Sequence, residues 1–279
     1  MAELLALLAA FAFGVGTVLQ QKGTLSVPLP SSDPQFFGRL VRTPVWLAGG
    51  ALQVVGWILQ AAALDEGELM IVQPIIMLSL VIALPFGVWL TGQRVGRREL
   101  AGASATVLGL AVFVVVSRPA EGTDTGSVEA WVVSTLVVAA LVGVLTLAVR
   151  HRPPGVAAVL LGTASGVLFG FQAAVTKVFV QQLGGGVLAL LETWSAYALI
   201  VSAVVGFVLQ QSALKTGVLA PAMASTNVAN MIVSVTLGAL VFQETLSRGH
   251  GRLLVSIGAL AVTVLGVLSL TRAEAPRQA

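Results

Sequence analysis

Asn227 and Asn230 stand three residues apart in a run that is otherwise apolar from Val218 to Phe242, with Pro221, Ser225 and Thr226 just ahead of them. Residues three apart on a helix share a face, so these amides and the Thr226 hydroxyl would line one side of a helix buried in apolar surroundings. Gln73, beside Pro74 in a second apolar run, and Gln60 and Gln210 in the runs preceding each, could complete a polar ring. Such a ring holds a small polar solute by hydrogen bonds, and Trp57, Phe171, Trp194 and Tyr197 could wall an organic one. The plainer role for the same residues is hydrogen bonding between helices with no ligand, typically about 0.6 kcal/mol per pair. Glu192 lies four residues into an apolar run, about 6 Å deep at 1.5 Å per residue. An ionisable group within a membrane is a functional candidate whose partner must be named, and Lys177 is that partner. Coupling of a proton or cation through the pair competes with a snorkelling pair at the membrane boundary.

Nothing else carries chemistry. His151 and His250 fall in connectors beside arginines, and no phosphate loop, nucleophile elbow or metal-binding helix motif is present. The expectation is no enzyme, no cofactor and no bound metal. With no cysteine, disulfides and thiolate metal sites are excluded. The formal charge of +3 comes from basic residues scattered over short connectors, not from a patch that would grip nucleic acid. Expected partners are a small-molecule or ion substrate and membrane lipid, with a second copy of the chain as an option.

The elements that must position these residues follow from hydropathy. Of 279 residues, 57% are hydrophobic and 10% charged, against about 25% charged in soluble domains. Mean hydropathy is +0.96, so little polar surface remains to face water. A membrane span needs roughly 20 mostly apolar residues. Nine such runs occur, near 3–20, 45–64, 69–91, 99–117, 129–149, 156–176, 188–209, 217–242 and 253–270. The connector 23–44, holding Pro28, Pro30 and Pro34 with Ser31, Ser32 and Asp33, reads as an irregular loop ending in a surface helix. Gly162, Gly166 and Gly170 form a stripe that lets a neighbouring helix come close. Pro74 and Pro85 in the third run, and Pro221 in the eighth, predict interrupted helices at corresponding places, which in transporters mark the solute site.

Orientation follows from charge. With nine spans, one side collects eleven of the fifteen Lys and Arg, and the other collects Arg118, Lys177, Arg248 and Arg252 together with most of the acids. Basic residues stay cytoplasmic, so the N-terminus is expected outside and the C-terminus in the cytoplasm of the inner (plasma) membrane. GWILQAAALDEGEL at 56–69 reappears as GFVLQQSALKTGVL at 206–219, identical at half of its fourteen positions. Where the first copy has Asp65 and Glu66, the second has Lys215 and Thr216, as if one unit were inserted twice in opposite directions. The expected architecture is all-α and polytopic: an inverted repeat over 1–127, a linking helix over 128–155, and a second repeat over 156–279. Phe13-Gly14 then answers Phe169-Gly170, and Gly102 and Gly109 answer Gly258 and Gly266.

FGVGTVLQQKG at 13–23, VWLAGG at 45–50, LMIVQPIIMLSLVIALPFGVWLTGQRV at 69–95, GASATVLGLAVFVVVSRP at 102–119 and VFQETL at 241–246 carry a resemblance to the drug/metabolite transporter superfamily, EamA-like clan. The chain looks most like its NIPA-type magnesium-transporter branch, which also has nine helices. The resemblance implies a secondary transporter working by alternating access. Where that branch has a Gly-Glu-x-x-Asn stretch, this chain has Gly56-Trp57-Ile58-Leu59-Gln60, without the acid. The expected cargo is therefore a small polar or amphipathic solute, exported by analogy with the superfamily. Magnesium transport, and a non-transporting scaffold or lipid-binding subunit, are the alternatives.

Overall fold

A computed structural model describes residues 1–28, 34–91, 96–117, 122–123, 125–182, 193–216, 219–244 and 250–273. Every regular element among them is an α-helix: α1 (Ala2–Leu25), α2 (Pro34–Leu40), α3 (Pro44–Glu66), α4 (Leu69–Ile76), α5 (Leu78–Thr91), α6 (Arg97–Ser117), α7 (Val128–Ala148), α8 (Pro154–Gln182), α9 (Trp194–Lys215), α10 (Leu219–Leu240) and α11 (His250–Ala273). Pro44 and Pro154 open α3 and α8, where a missing N–H costs nothing and the fixed φ suits a helix. Ser127 caps α7 by accepting from the Ala130 N–H at 3.2 Å. The short α2 is the surface helix expected at the end of the 23–44 connector.

Five helical stretches among the described residues are long and apolar enough to cross a membrane: Ala2–Gln20, Pro44–Glu66, Leu69–Leu90, Val128–Ala148 and Pro154–Gln182. Four shorter apolar stretches, Leu100–Val116, Trp194–Gln210, Ala224–Leu240 and Gly251–Val267, complete the series. Val132, Val133, Leu136 and Val137 of α7 are all exposed, while Trp131 and Val138 are buried. A water-facing helix would reverse that pattern, so the outer surface is built for lipid. The chain is an α-helical membrane protein.

Two sets of helices pack alike. The Phe13 ring of α1 fills the space beside Gly56 of α3, where a Cβ would come within 2.7 Å of it; the Phe169 ring of α8 lies beside Gly206 of α9, 2.9 Å from the corresponding point. Gly14 abuts the Ser79 carbonyl and the Ile82 side chain on α5, and Gly170 abuts the Asn230 carbonyl and the Val233 side chain on α10. The expected stripe does let α10 approach α8: Gly162 faces Ala222 and Ser225, and Gly166 faces the Thr226 carbonyl. Between the sets, α6 and α11 cross in reciprocal contact. Gly109 receives Thr263 and Ala259, while Gly266 receives Thr106 and Gly102. Gly102 is thus matched by Ala259; Gly258 has no atom within 4 Å of its would-be Cβ.

The paired interruptions are found on one side only. In the third span the helix breaks at Met77, between α4 and α5, three residues past Pro74. The Met77 N–H is shared between the carbonyls of Gln73 at 3.3 Å and Pro74 at 3.2 Å, the tightened geometry that follows a proline kink. In the eighth span α10 runs unbroken, because Pro221 is its third residue, within the first turn where the N–H has no intrahelical partner anyway.

Candidate functional site

Beyond Leu240 the chain turns back on itself. The Val241 N–H donates to the Leu237 carbonyl at 2.8 Å, and the Glu244 N–H donates to the Gly238 carbonyl at 3.0 Å. This needs Gln243 in the left-handed region, φ 55°, a conformation disfavoured for side-chain-bearing residues. It also needs Gly238, since a Cβ there would lie 2.7 Å from the Glu244 carboxylate and 2.6 Å from Met70. The turn aims Glu244 across at the N-terminus of α4. Its Oε1 accepts from the Leu69 N–H at 2.9 Å, and its Oε2 from the Met70 N–H at 2.8 Å. Glu68, the N-cap residue of α4, makes no side-chain cap of its own. A carboxylate from a distant turn therefore satisfies these donors at the positive end of the helix.

Lys177, near the end of α8, closes the cluster. Its Nζ donates to Glu244 Oε1 at 2.9 Å and to Glu68 Oε2 at 3.1 Å. Side-chain exposure is 7% for Lys177, 0% for Glu244 and 16% for Glu68, so one ammonium and two carboxylates share a largely dry space. The ammonium also sits 5.0 Å from the Phe242 ring centroid, a cation–π contact. Phe242, Phe171 and Trp194 gather around Trp131 with ring centroids 5.9, 5.9 and 4.9 Å away. The Trp131 indole donates to the Thr125 carbonyl at 2.7 Å, and the Thr123 N–H donates to the Phe242 carbonyl at 2.6 Å. These contacts hold Thr123 to Phe242 and Thr125 to Trp131, beside the aromatic side of the cluster. Burial pushes the Glu68 carboxyl up to about 7, helped by its hydrogen bond to Glu244 and that group's charge, with Lys177 pulling the other way.

Of the residues singled out from sequence, Lys177 is placed in this cluster. Its partners Glu68 and Glu244 are two of the acids on the sparsely basic side, to which the sequence assigns no role of their own. Glu192 lies outside the described residues. Thr226 is buried on the α8–α10 seam, where its hydroxyl meets the carbonyls of Gly162 at 3.0 Å and Ala222 at 2.9 Å. Asn230 is partly buried; its side-chain oxygen accepts from Ser234 at 3.1 Å. Asn227, Gln60 and Gln210 are partly buried as well. Trp57 and Tyr197 are exposed on outward faces, whereas Phe171 and Trp194 meet at Trp131. Gln73 is 2% exposed, and its Nε2 has no hydrogen-bond partner among the described residues. It sits one turn beyond Leu69 on α4.

The signal for Glu68 and Glu244 was present in the sequence. Each follows an apolar run within a few residues, and Glu244 belongs to the VFQETL stretch. What hid them was position: an acid at a span end is ordinarily solvated. Among the described residues, no three His, Asp or Glu gather as a metal would require.

No family model matches the chain, and no solved structure does. It is 27% identical over 271 residues to the probable magnesium transporter NIPA9 of Arabidopsis thaliana, covering 92% of this chain and 77% of that protein. It is 30% identical over 278 residues to an uncharacterised protein of Corynebacterium glutamicum, covering 98% of this chain and 95% of the relative. Similarity at that level from end to end makes this chain a member of the same protein family as the Corynebacterium glutamicum protein.

Proposed function

We propose that the protein is a secondary transporter of the inner (plasma) membrane, moving a small polar or amphipathic solute outward between two inverted halves. The observation that carries this reading is the Lys177 cluster. It ties the α3–α4 junction to α8 and to the end of α10, across the two sets of helices, using charges that water could separate. Among the described residues no other ion pair joins the sets. Alternating access needs a closure of this kind, strong when dry and reversible when wet. The repeated packing of Phe13 on Gly56 and Phe169 on Gly206 supports two copies of one module over 1–127 and 156–279. The buried amide of Gln73, whose Nε2 is unpaired among the described residues, supplies a donor near the closure, with Gln60, Gln210, Asn227 and Asn230 as further solute-facing candidates. The excess of Lys and Arg on one side supports an external N-terminus and a cytoplasmic C-terminus, with the cluster at the external end.

A second reading, movement of a divalent cation, is favoured by the likeness to the probable magnesium transporter NIPA9. Mg²⁺ requires oxygen ligands and keeps several of its waters, so a path lined by amides would pass it hydrated. Reconstituted vesicles decide between the readings. Counterflow of a metabolite pool with no Mg²⁺ flux supports the first, Mg²⁺ flux alone supports the second, and neither would leave a scaffold.

A further inference from the structure

We propose that Glu68 is a proton-binding site, and that its protonation locks the Glu68–Lys177–Glu244 cluster shut while its ionisation loosens the cluster and lets water reach Gln73. This rests on the transporter reading only for its purpose; the switch itself is a property of the cluster. The geometry assigns the proton to Glu68. Glu244 accepts from three donors, the N–H groups of Leu69 and Met70 and the Lys177 ammonium, at 2.8 to 2.9 Å. Glu68 has the Lys177 ammonium alone, at 3.1 Å and already shared. With both acids ionised, the buried cluster carries one unbalanced negative charge, which a dry space resists. One proton on Glu68 makes it neutral, and the resulting hydroxyl can donate to Glu244.

The surroundings offer no substitute counter-charge among the described residues. Asp65 and Glu66, at the end of α3, are exposed and have the wrong sign. On α1, Ala2 packs against Gly67, and the Met1 ammonium beside it lies 3.8 Å from the Glu3 carboxylate. Glu129 of α7 is exposed. Arg118, Glu121, Asp124, Glu192 and Arg248 fall outside the described residues.

The direction follows from linkage. Closed, Glu68 holds its proton to about 7, whereas a solvated glutamate releases it near 4.5. The proton therefore binds the closed form more tightly. Its contribution to closure is complete below pH 4.5 and is lost as pH rises through about 7. Acid outside shuts the external end, and neutral or alkaline solution frees it.

The chain has no cysteine, so Gln73→Cys supplies a single thiol, about 6 Å beyond Leu69 along α4. Full-length protein carrying it is treated with a membrane-impermeant maleimide in right-side-out and inside-out vesicles from pH 5 to 8.5. Rates are divided by those of unfolded protein at each pH, which removes the titration of the thiol itself. The expected result is a relative rate that rises severalfold per pH unit toward pH 7 on one membrane face, with a ceiling of tenfold per unit set by one proton. Glu68→Gln, which cannot ionise, should hold the rate at its low, acid value at every pH, and Glu68→Asp should restore the rise. A flat profile in the parent, or a rise surviving in Glu68→Gln, would overturn the proposal. Labelling needs no solute, so a pH response in vesicles that transport nothing would refute the transporter reading and leave the switch standing.

Discussion

Glu244 serves three donors with two oxygens, and that division of labour predicts how variants behave. Lys177→Met strands the buried Glu244 carboxylate beside the partly buried Glu68. Breaking a buried pair costs about 3–5 kcal/mol, so the variant should unfold at markedly lower temperature in detergent. Adding Glu68→Gln should recover part of the loss, because neutralising one acid removes a charge left without its partner; a fall as large as in the single variant would count against the pairing. Gln73 poses the opposite case. Its Nε2 is buried without a partner, and an unmade hydrogen bond of this kind costs about 1–3 kcal/mol. Gln73→Leu should therefore leave thermal stability equal or higher while solute flux in vesicles falls. A loss of stability would show that the amide is structural.

At the scale of elements, the seams between helices are set by glycines whose replacement has a calculable sign. At Gly166 a Cβ would lie 2.2 Å from the Thr226 backbone carbonyl, an atom that cannot turn aside. Gly166→Val must push α10 off α8, and overpacking of this type costs about 1–3 kcal/mol or more. Gly258 is the control: with open space around it, Gly258→Ala should be neutral or stabilising by up to about 1 kcal/mol through helix propensity alone. Melting curves of the two variants, measured side by side, check both signs. The asymmetry between a broken α4–α5 and an unbroken α10 belongs to this scale too. Pro74 falls six residues into its helix and Pro221 three residues into its own. A proline matters only once its missing N–H would have had a carbonyl to meet.

For the whole molecule, the α6–α11 crossing is an extensive contact between the two sets of helices. Its reciprocity gives a sharp prediction in a chain free of cysteine. Gly109→Cys with Thr263→Cys, and Thr106→Cys with Gly266→Cys, should each form a disulfide on mild oxidation. Gly258→Cys with Gly109→Cys should not, since Gly258 has no neighbour across the seam. Mobility shifts of a chain with a protease site placed in the 118–127 connector report the cross-link. If only one of the two reciprocal pairs closes, the symmetry of the crossing is lost, and with it support for two related modules.

Hydropathy and spacing alone were enough to determine that this is a helical membrane protein, and where most of its helices run. The cost of an unpaired backbone group in lipid leaves few other choices for runs of 20 apolar residues. The repeat at 56–69 and 206–219, the glycine stripe on α8 and the matched Phe-Gly pairs were legible for the same reason, since each acts within one helix or one close contact. The ion cluster was not. Glu68, Lys177 and Glu244 are separated by 109 and 67 residues, and each alone looks like a charge at the end of a span. Only the left-handed turn at Gln243 and the turn between α3 and α4 at Glu68 bring them into one dry space. Burial at that meeting point, a property of the assembled fold, is what turns three ordinary span-end charges into one buried ion cluster.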